Sequence, residues 1–504
     1  MEYIAAYDFG TSGVKAVIVD YDGKLIASSE RGYPLLCPAH GFAEQNPEDY
    51  WQAVCGATQE VVKTSGIPKE NVMGLAFSTQ GMGIIPVAAD GSILSNNITW
   101  LDSRAGDQAN RINKAIGEVY LNANDVVSKL LWIKENDPEL YENAAYFMDC
   151  TCFLNYKCTG EVYMELTRSS PHSLDAEELA HKHKLYTAAG VDLKKLPPLK
   201  TCTEFVGKLT PQAAEELGLT ERAAVFMGTG DVPAAAAGAA CSKLGDAHIY
   251  LGSSAWLTVL KDNIRVKNPC PGIYEMYSMN KEQMIYGGCV QSCCMTYEWA
   301  INQYYGAERK LLENGVLSKD ESIYQFIEDE IREIPAGSNG LIVTPWLHGE
   351  HCPVLDEHAR GTCINITNQH DRRHILNAVL EGVAYSLRGQ VEYYRKDCGK
   401  DIASVTAVGG GALRDHWLQI IADVIQIPVH RTTNVRHAGA MGAAVVAAVG
   451  LGLYALEDAG KFINIEKSFY PRQENAVVYD KMYRIFMELY PALKDIYTDL
   501  NQSC

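Results

Sequence analysis

The sequence predicts an α/β protein made of two domains of similar construction, and three observations carry that expectation. The chain has 504 residues, about three times the usual domain length. Strand and helix signals alternate along it, as in proteins whose strands are joined by helical crossovers. A strand, a Gly/Ser/Thr turn and a returning strand occur near the start of each half, once around Asp8-Phe9-Gly10-Thr11-Ser12-Gly13-Val14-Lys15 and again in His248–Val259. The expected division is 1–243 and 244–504, the second part including the C-terminal helices.

The elements follow in order. Tyr3–Tyr7 and Val14–Val19 are apolar runs on either side of the first turn, and Asp22-Gly23 leads to a third strand at Leu25–Ser29. Helical spacing predicts a helix over Pro47–Lys63, then a strand at Val72–Ser78 and a helix at Val126–Asn136. Phe205–Leu209 reads as a short strand before the Ala/Glu-rich helix Pro211–Leu217, which Gly218 ends. Val225–Met227 reads as a strand, and Gly228-Thr229-Gly230-Asp231-Val232-Pro233 opens an Ala-rich helix at Ala234–Ala240. Late in the chain, Ile402–Val408 precedes Gly409-Gly410-Gly411-Ala412 and a helix from Asp415 to Val424.

Composition narrows the function class. Formal charge is 44 − 62 = −18, which argues against a nucleic-acid partner, since phosphate binding needs Lys and Arg concentrated on one face. A small-molecule role is expected instead. The fifteen cysteines are scattered, and Cys293-Cys294 are adjacent, so they read as reduced thiols of a cytoplasmic protein. Met1-Glu2 leads directly into the first strand, so no targeting segment is expected. Ala438–Leu456 is uncharged but rich in Ala and Gly, and reads as a small-residue helix packed closely under a loop, not a membrane span.

Three of these segments carry chemistry. In the first turn, Gly10 and Gly13 let backbone N–H groups approach an anion, Thr11 and Ser12 add hydroxyl donors, and Lys15 adds charge. Gly10 and Gly252 are expected at positive φ. Asp8, at the strand end, is placed to hold a divalent metal through water. This cradle differs from a P-loop, because no GxxxxGK[ST] occurs. Asp231 stands at a strand-to-helix switch, where it is either an ordinary helix cap or a group that accepts a proton from a substrate hydroxyl. The glycine triplet at 409–411 allows a flat ligand or phosphate to lie on bare backbone, although a capping turn would read the same way.

In this order the motifs resemble the FGGY family of carbohydrate kinases, most closely its xylulokinase-like members, over nearly the whole chain. Asp8–Gly13 is similar to the family's first phosphate motif, Gly252-Ser253-Ser254 to its second and Gly409–Ala412 to its adenosine motif. Trp100-Leu101-Asp102-Ser103-Arg104 resembles its Trp-x-Asp-x-Arg segment, Lys129–Asn136 its first signature and Gly361–Glu381 its second. The resemblance implies two RNase H-like domains of the actin, sugar kinase and Hsp70 superfamily around a nucleotide cleft, with the sugar in the N-terminal domain. It implies Asp231 as the general base, and Gln80, Gly81, Met82, Trp100, Asp102, Arg104 and Asp231 as sugar contacts. It also implies ATP held by Gly10, Thr11, Ser12, Lys15, Gly252, Ser253, Ser254, Gly410, Gly411 and Ala412, with Mg²⁺ near Asp8. The expected partners are a small sugar and ATP, with no nucleic acid and no membrane; a homodimer is compatible with this reading.

Departures from the family pattern concern the sugar. Gln80-Gly81-Met82-Gly83 lacks the His of the usual Gln-Met-His-Gly, Val232 replaces Asn or Gln after the catalytic Asp, and Gly349-Glu350-His351-Cys352-Pro353 replaces Gly-Glu-Arg-Thr-Pro. The expected activity is ATP-dependent phosphorylation of a hydroxyl on a small sugar. A ketopentose such as xylulose leads, with another ketose or polyol as the alternative. From a different class, an actin- or Hsp70-type nucleotide switch stays open. His348, Glu350, His351 and Cys352 do not have zinc-site spacing, and His181-Lys182-His183 reads as a solvated face.

Overall fold

The computed structural model describes residues 1–117, 121–166, 184–316 and 322–501; the His181-Lys182-His183 triplet lies outside them. The chain folds as two compact units. The first comprises Met1–Ser242, Met276–Gln283 and His437–Asn464, and the second Lys243–Glu275, Met284–Arg436 and Ile465–Cys504. A division at 243/244 would assign 276–283 and 437–464 to the second unit, but both segments pack in the first.

The first unit is built on a seven-stranded sheet. Its strands are β1 (Tyr3–Phe9), β2 (Gly13–Asp20), β3 (Leu25–Gly32), β4 (Val72–Thr79), β5 (Phe205–Lys208), β6 (Ala224–Phe226) and β7 (Thr229–Gly230). Their order is β5-β6-β4-β1-β2-β3, with β7 also paired to β4. β1 runs antiparallel to β2 and parallel to β4. Strand periodicity decides which face each residue supports. Ala5, Tyr7, Phe9, Val14, Ala16 and Ile18 join one core with Tyr50, Trp51, Val54 and Val61 of the helix Pro47–Ser65. Ile4, Ala6, Val17 and Val19 join the opposite core with Ala440, Ala444 and Val445 of the helix Ala438–Gly450. Both faces of the central strands are therefore covered, which is why they read as continuous apolar runs. The helix Pro47–Ser65 has a side-chain cap from Asn46, Pro at its start and Gly66 at φ 65° after its end.

The expected small-residue helix is shorter than its uncharged run, and it packs against a helix and a sheet, not under a loop. Its small residues permit backbone contact with the helix Asp231–Gly238: a Cβ on Gly442 would stand 1.9 Å from the Ala234 carbonyl oxygen, and one on Gly238 1.9 Å from that of Ala438. Among the described residues no helix is long and apolar enough to cross a membrane.

The second seven-stranded sheet, which lies in the second unit apart from the 276–277 end of β10 and residue 283 of β11, comprises β8 (Ala247–Leu251), β9 (Ala255–Asp262), β10 (Ile273–Tyr277), β11 (Gln283–Val290), β12 (Val405–Val408), β13 (Val429–Thr432) and β14 (Ile465–Phe469), in the order β10-β11-β9-β8-β12-β13-β14. β8 pairs antiparallel with β9 and parallel with β12, the same neighbours by type that β1 has. The recurrence of the two hairpins in sequence thus corresponds to one topology used twice. The helices Arg372–Cys398 and Asp415–Ile425 contribute Leu380, Val383, Leu387, Trp417, Leu418 and Ile421 to its core. All fourteen described cysteines are unbridged.

Candidate active site

In the first unit the Gly10–Gly13 turn closes with the Gly10 amide donating to the Gly13 carbonyl at 3.0 Å, and the Tyr33 hydroxyl donates to the Gly10 carbonyl. Neither Gly10 nor Gly252 has positive φ, contrary to expectation. Their smallness serves approach, not a left-handed turn. A Cβ on Gly13 would stand 2.5 Å from the Arg31 carbonyl oxygen of β3 and one on Gly252 2.5 Å from the Tyr250 ring, whereas one on Gly10 would meet only the Gly13 oxygen at 3.7 Å.

Asp8, the penultimate residue of β1, stands opposite Lys15 on β2. Burial pushes its carboxyl above the usual range, opposed by the Lys15 charge, reinforced by Asp231, and opposed again by the Ser78 hydroxyl, which donates to Oδ1 at 3.3 Å. The first turn of the helix Ala438–Gly450 presses on the same carboxylate: a Cβ on Gly439 would lie 2.4 Å from Oδ1, 2.5 Å from Cγ and 2.8 Å from Oδ2. Sequence reading missed Gly439. It was visible only as one glycine among several in an Ala/Gly run.

Asp231 is the first residue of the helix Asp231–Gly238. Thr229 and Gly230 pair in parallel with Ser78 and Thr79, so Asp231-Val232 and Gln80-Gly81-Met82 leave the sheet side by side. The carboxylate is exposed, accepts the Val232 amide at 2.9 Å and is felt electrostatically by Asp8.

The expected sugar contacts divide into two groups. Gln80 is buried; its Nε2 donates to Gln45 Oε1 at 3.0 Å and its Oε1 accepts the Thr11 hydroxyl at 3.1 Å. Gln45 in turn donates to the Thr11 carbonyl at 2.7 Å. Asp102 is fully buried, and its oxygens accept the amides of Ala43 and Arg104 and the Arg104 guanidinium. That guanidinium also reaches Glu44 at 2.6 Å and lies 3.8 Å from the Phe42 ring centroid and 4.9 Å from that of Trp132. Gln80, Asp102 and Arg104 therefore brace the loops that carry the site. Trp100 remains 41% exposed, with its indole N–H donating to the Thr11 hydroxyl at 2.9 Å.

Lys129 is a second residue whose role sequence reading missed. It is fully buried, and its ammonium donates to the Met82 carbonyl at 2.9 Å and the Thr99 carbonyl at 2.7 Å. Burial pushes it down to about 8, with Asp102 and Asp125 opposing. It fastens the loop of Met82, held at φ 58°, to the residue before Trp100. The available signal was a lysine four residues before Ile133 on the buried side of its helix.

In the second unit the Gly252 amide donates to the Ser254 carbonyl at 2.9 Å. The carbonyls of Gly252 and Ser253 accept the amides of Cys294 and Cys293 at 3.0 and 2.8 Å, which seats the turn on the start of the helix Cys294–Tyr304. Glu350 supports this end. Its Oε1 accepts the amides of Gln291 and His351 at 2.7 and 2.8 Å, its Oε2 is buried without a hydrogen-bond partner, and burial pushes the carboxyl up to about 8. Beside the turn, a pocket of about 180 Å³ is lined by Gly410, Gly411, Cys294, Tyr297, Arg414 and Trp417, among others. Gly409, at φ 92°, has the Leu251 backbone where a Cβ would be. Ala412 is fully buried and does not line the pocket. Among the described residues no group of three or more His, Cys, Asp or Glu could hold a metal by itself.

Residues 3–238 match the N-terminal domain, and residues 247–451 the C-terminal domain, of the FGGY family of carbohydrate kinases. The chain belongs to that family. It is 30% identical to a xylulose kinase of Bacillus subtilis, with 99% of each chain covered, and 24% identical to a gluconokinase of the same organism, covering 99% of this chain and 97% of that one. The crystal structure of a ligand-bound xylulose kinase from Lactobacillus acidophilus superposes with a TM-score of 0.82 at 24% identity, covering 99% of this chain and 100% of the other. The protein is thus a carbohydrate kinase of the two-domain α/β FGGY fold that phosphorylates a sugar hydroxyl with ATP. Membership in a carbohydrate kinase family sets the nucleotide-switch alternative aside.

Proposed function

We propose that this kinase phosphorylates a small ketose, with ketopentoses of the xylulose type as the leading class and Asp231 as the general base. The observation that carries the reading is the placement of Asp231: an exposed carboxylate at a helix start, beside the loop of Gln80, Gly81 and Met82 and within electrostatic reach of Asp8. Full-length similarity to xylulose kinases supports the ketopentose class.

In this mechanism Asp231 accepts the proton of the attacking hydroxyl, Trp100 and the Gly81-Met82 backbone position the sugar, and the braces Gln80, Asp102, Arg104 and Lys129 fix those loops. In the first unit Thr11, Ser12 and Lys15 are the proposed phosphate contacts; in the second, taken by itself, Gly252, Ser253 and Ser254 are the proposed phosphate contacts and Gly410 and Gly411 the proposed adenosine contacts. Catalysis is then mostly positioning and charge neutralisation. Mg²⁺ fits Asp8 as an outer-shell ligand, since burial first, and then Asp231 and Glu30, disfavour the charged carboxylate against the opposing Lys15 and Ser78, and a cation would relieve that cost. When bound, the ion would neutralise triphosphate charge. A homodimer in the cytoplasm is compatible with this role.

The test is sugar-dependent ADP release. Asp231→Asn should lower kcat by about 10² or more while leaving ATP affinity nearly unchanged. Near-normal turnover by the folded variant would reject Asp231 as the base.

A further inference from the structure

Trp100 lies in the segment expected to meet the sugar, yet its indole N–H is committed to the phosphate turn, donating to the Thr11 hydroxyl at 2.9 Å. That hydroxyl in turn donates to Gln80 Oε1 at 3.1 Å. A hydroxyl has one proton and two lone pairs, so the Thr11 side chain has no proton left for a phosphate oxygen. The backbone does: among the described residues the Thr11 and Ser12 amides donate to no protein group, which leaves two successive N–H groups of the kind that hold anions. Thr11 therefore serves a phosphate through its amide, and its side chain aims that amide.

Both ends of the contact are anchored. On the turn, the Thr11 carbonyl accepts Gln45 Nε2 at 2.7 Å and the Gly10 carbonyl accepts the Tyr33 hydroxyl. On the other side, the Trp100 carbonyl accepts Asn124 Nδ2 at 2.7 Å. The preceding Thr99 donates to the Ala43 carbonyl from its amide at 3.0 Å and from its hydroxyl at 2.9 Å, and its own carbonyl accepts the Lys129 ammonium at 2.7 Å. Thr is stiff at χ1 because it is branched at Cβ. Holding Oγ1 from Trp100 and Gln80 together therefore fixes the backbone beside it, whereas Oγ1 held by Gln80 alone pivots about one contact.

We infer that Trp100 is a positioning residue for the nucleotide phosphates, acting through Thr11, and that this role is separate from its proposed place in the sugar site. The role rests on the reading of turn 10–13 as a phosphate site. A substitution in the sugar segment then weakens ATP binding even with no sugar present.

The experiment is calorimetric titration of the full chain with MgATP in the absence of sugar, with thermal unfolding in parallel. Trp100→Phe keeps an aromatic ring and removes the N–H, and the loss of one hydrogen bond should weaken ATP binding about two- to tenfold. In the Thr11→Val background there is no hydroxyl to hold, so Trp100→Phe should weaken ATP no further, a non-additivity that marks direct coupling. In the Thr11→Ser background, which keeps the hydroxyl, Trp100→Phe should weaken ATP again. Wild-type ATP affinity in folded Trp100→Phe would overturn the role of Trp100, as would an equal loss from Trp100→Phe with and without Thr11→Val. If the double variant does not fold, Trp100→Phe alone decides. Gly10→Ala separates this role from the reading beneath it. If Gly10→Ala also binds ATP at wild-type affinity, the turn is not the phosphate site and the role of Trp100 falls with it; if Gly10→Ala weakens ATP and Trp100→Phe does not, only the role of Trp100 falls.

Discussion

Gly439→Ala is the sharpest probe of how the first unit holds Asp8. The added Cβ would lie 2.4 Å from Oδ1, 2.5 Å from Cγ and 2.8 Å from Oδ2, whereas ordinary contact begins at 3.4 Å. Either the carboxylate retreats by about 1 Å or the helix Ala438–Gly450 moves. The helix is constrained, because its backbone meets that of the helix Asp231–Gly238 at Gly442 with Ala234 and at Ala438 with Gly238. The carboxylate should therefore yield. A displacement of about 1 Å at a group that organises the reacting phosphate costs about 10²-fold in rate, while overpacking costs about 1–3 kcal/mol of stability. The assay is ADP release at saturating sugar and ATP as a function of magnesium concentration, with thermal unfolding in parallel. Gly450→Ala serves as the control: its Cβ would strike the Phe226 ring at 2.2 Å, which strains the same helix at its far end without touching Asp8. The expectation is a kcat about 10²-fold lower and an altered magnesium dependence for Gly439→Ala, against a loss of stability alone for Gly450→Ala. A Gly439→Ala enzyme within threefold of wild-type kcat, with the wild-type magnesium dependence, would refute the proposed role of Asp8.

Two further predictions concern the phosphate turn and the second unit. Gly10→Ala should leave the unfolding temperature nearly unchanged, since its Cβ meets only the Gly13 oxygen at 3.7 Å, yet weaken ATP binding about tenfold or more by standing between backbone and phosphate; calorimetry showing wild-type affinity would remove this turn from the phosphate site. Glu350 is raised from an ordinary 4.5 to about 8, so its contribution to stability is fully present below about 4.5 and is lost as pH rises to about 8, on the order of 3–5 kcal/mol. Glu350→Gln keeps the acceptor for the Gln291 and His351 amides and removes the titration, so the stability gap between variant and wild type, measured by denaturant unfolding, should widen in the variant's favour from pH 5 to pH 8; a gap independent of pH would contradict the buried, titrating carboxyl.

The sequence by itself determined the elements and much of the chemistry, because those signals are local. Apolar runs around Asp22-Gly23 and around the two Gly/Ser turns specify hairpins whatever surrounds them, and Gly218 sets a helix end through its own backbone preference. The strand-to-helix switch at Asp231 was legible for the same reason. Tertiary structure decided what each polar side chain has left to offer. Asp102, Arg104 and Gln80 carry the residue types of sugar ligands, yet their hydrogen bonds run to Glu44, Ala43, Gln45 and Thr11, partners 35 to 69 residues away in sequence. Tertiary structure also decided that Lys129 is buried as a brace, that Gly439 lies against Asp8, and that the segment 437–464 returns to the first unit. Each of these depends on contacts between distant segments, and a local pattern of residue types does not encode which distant partner will satisfy a buried donor or acceptor.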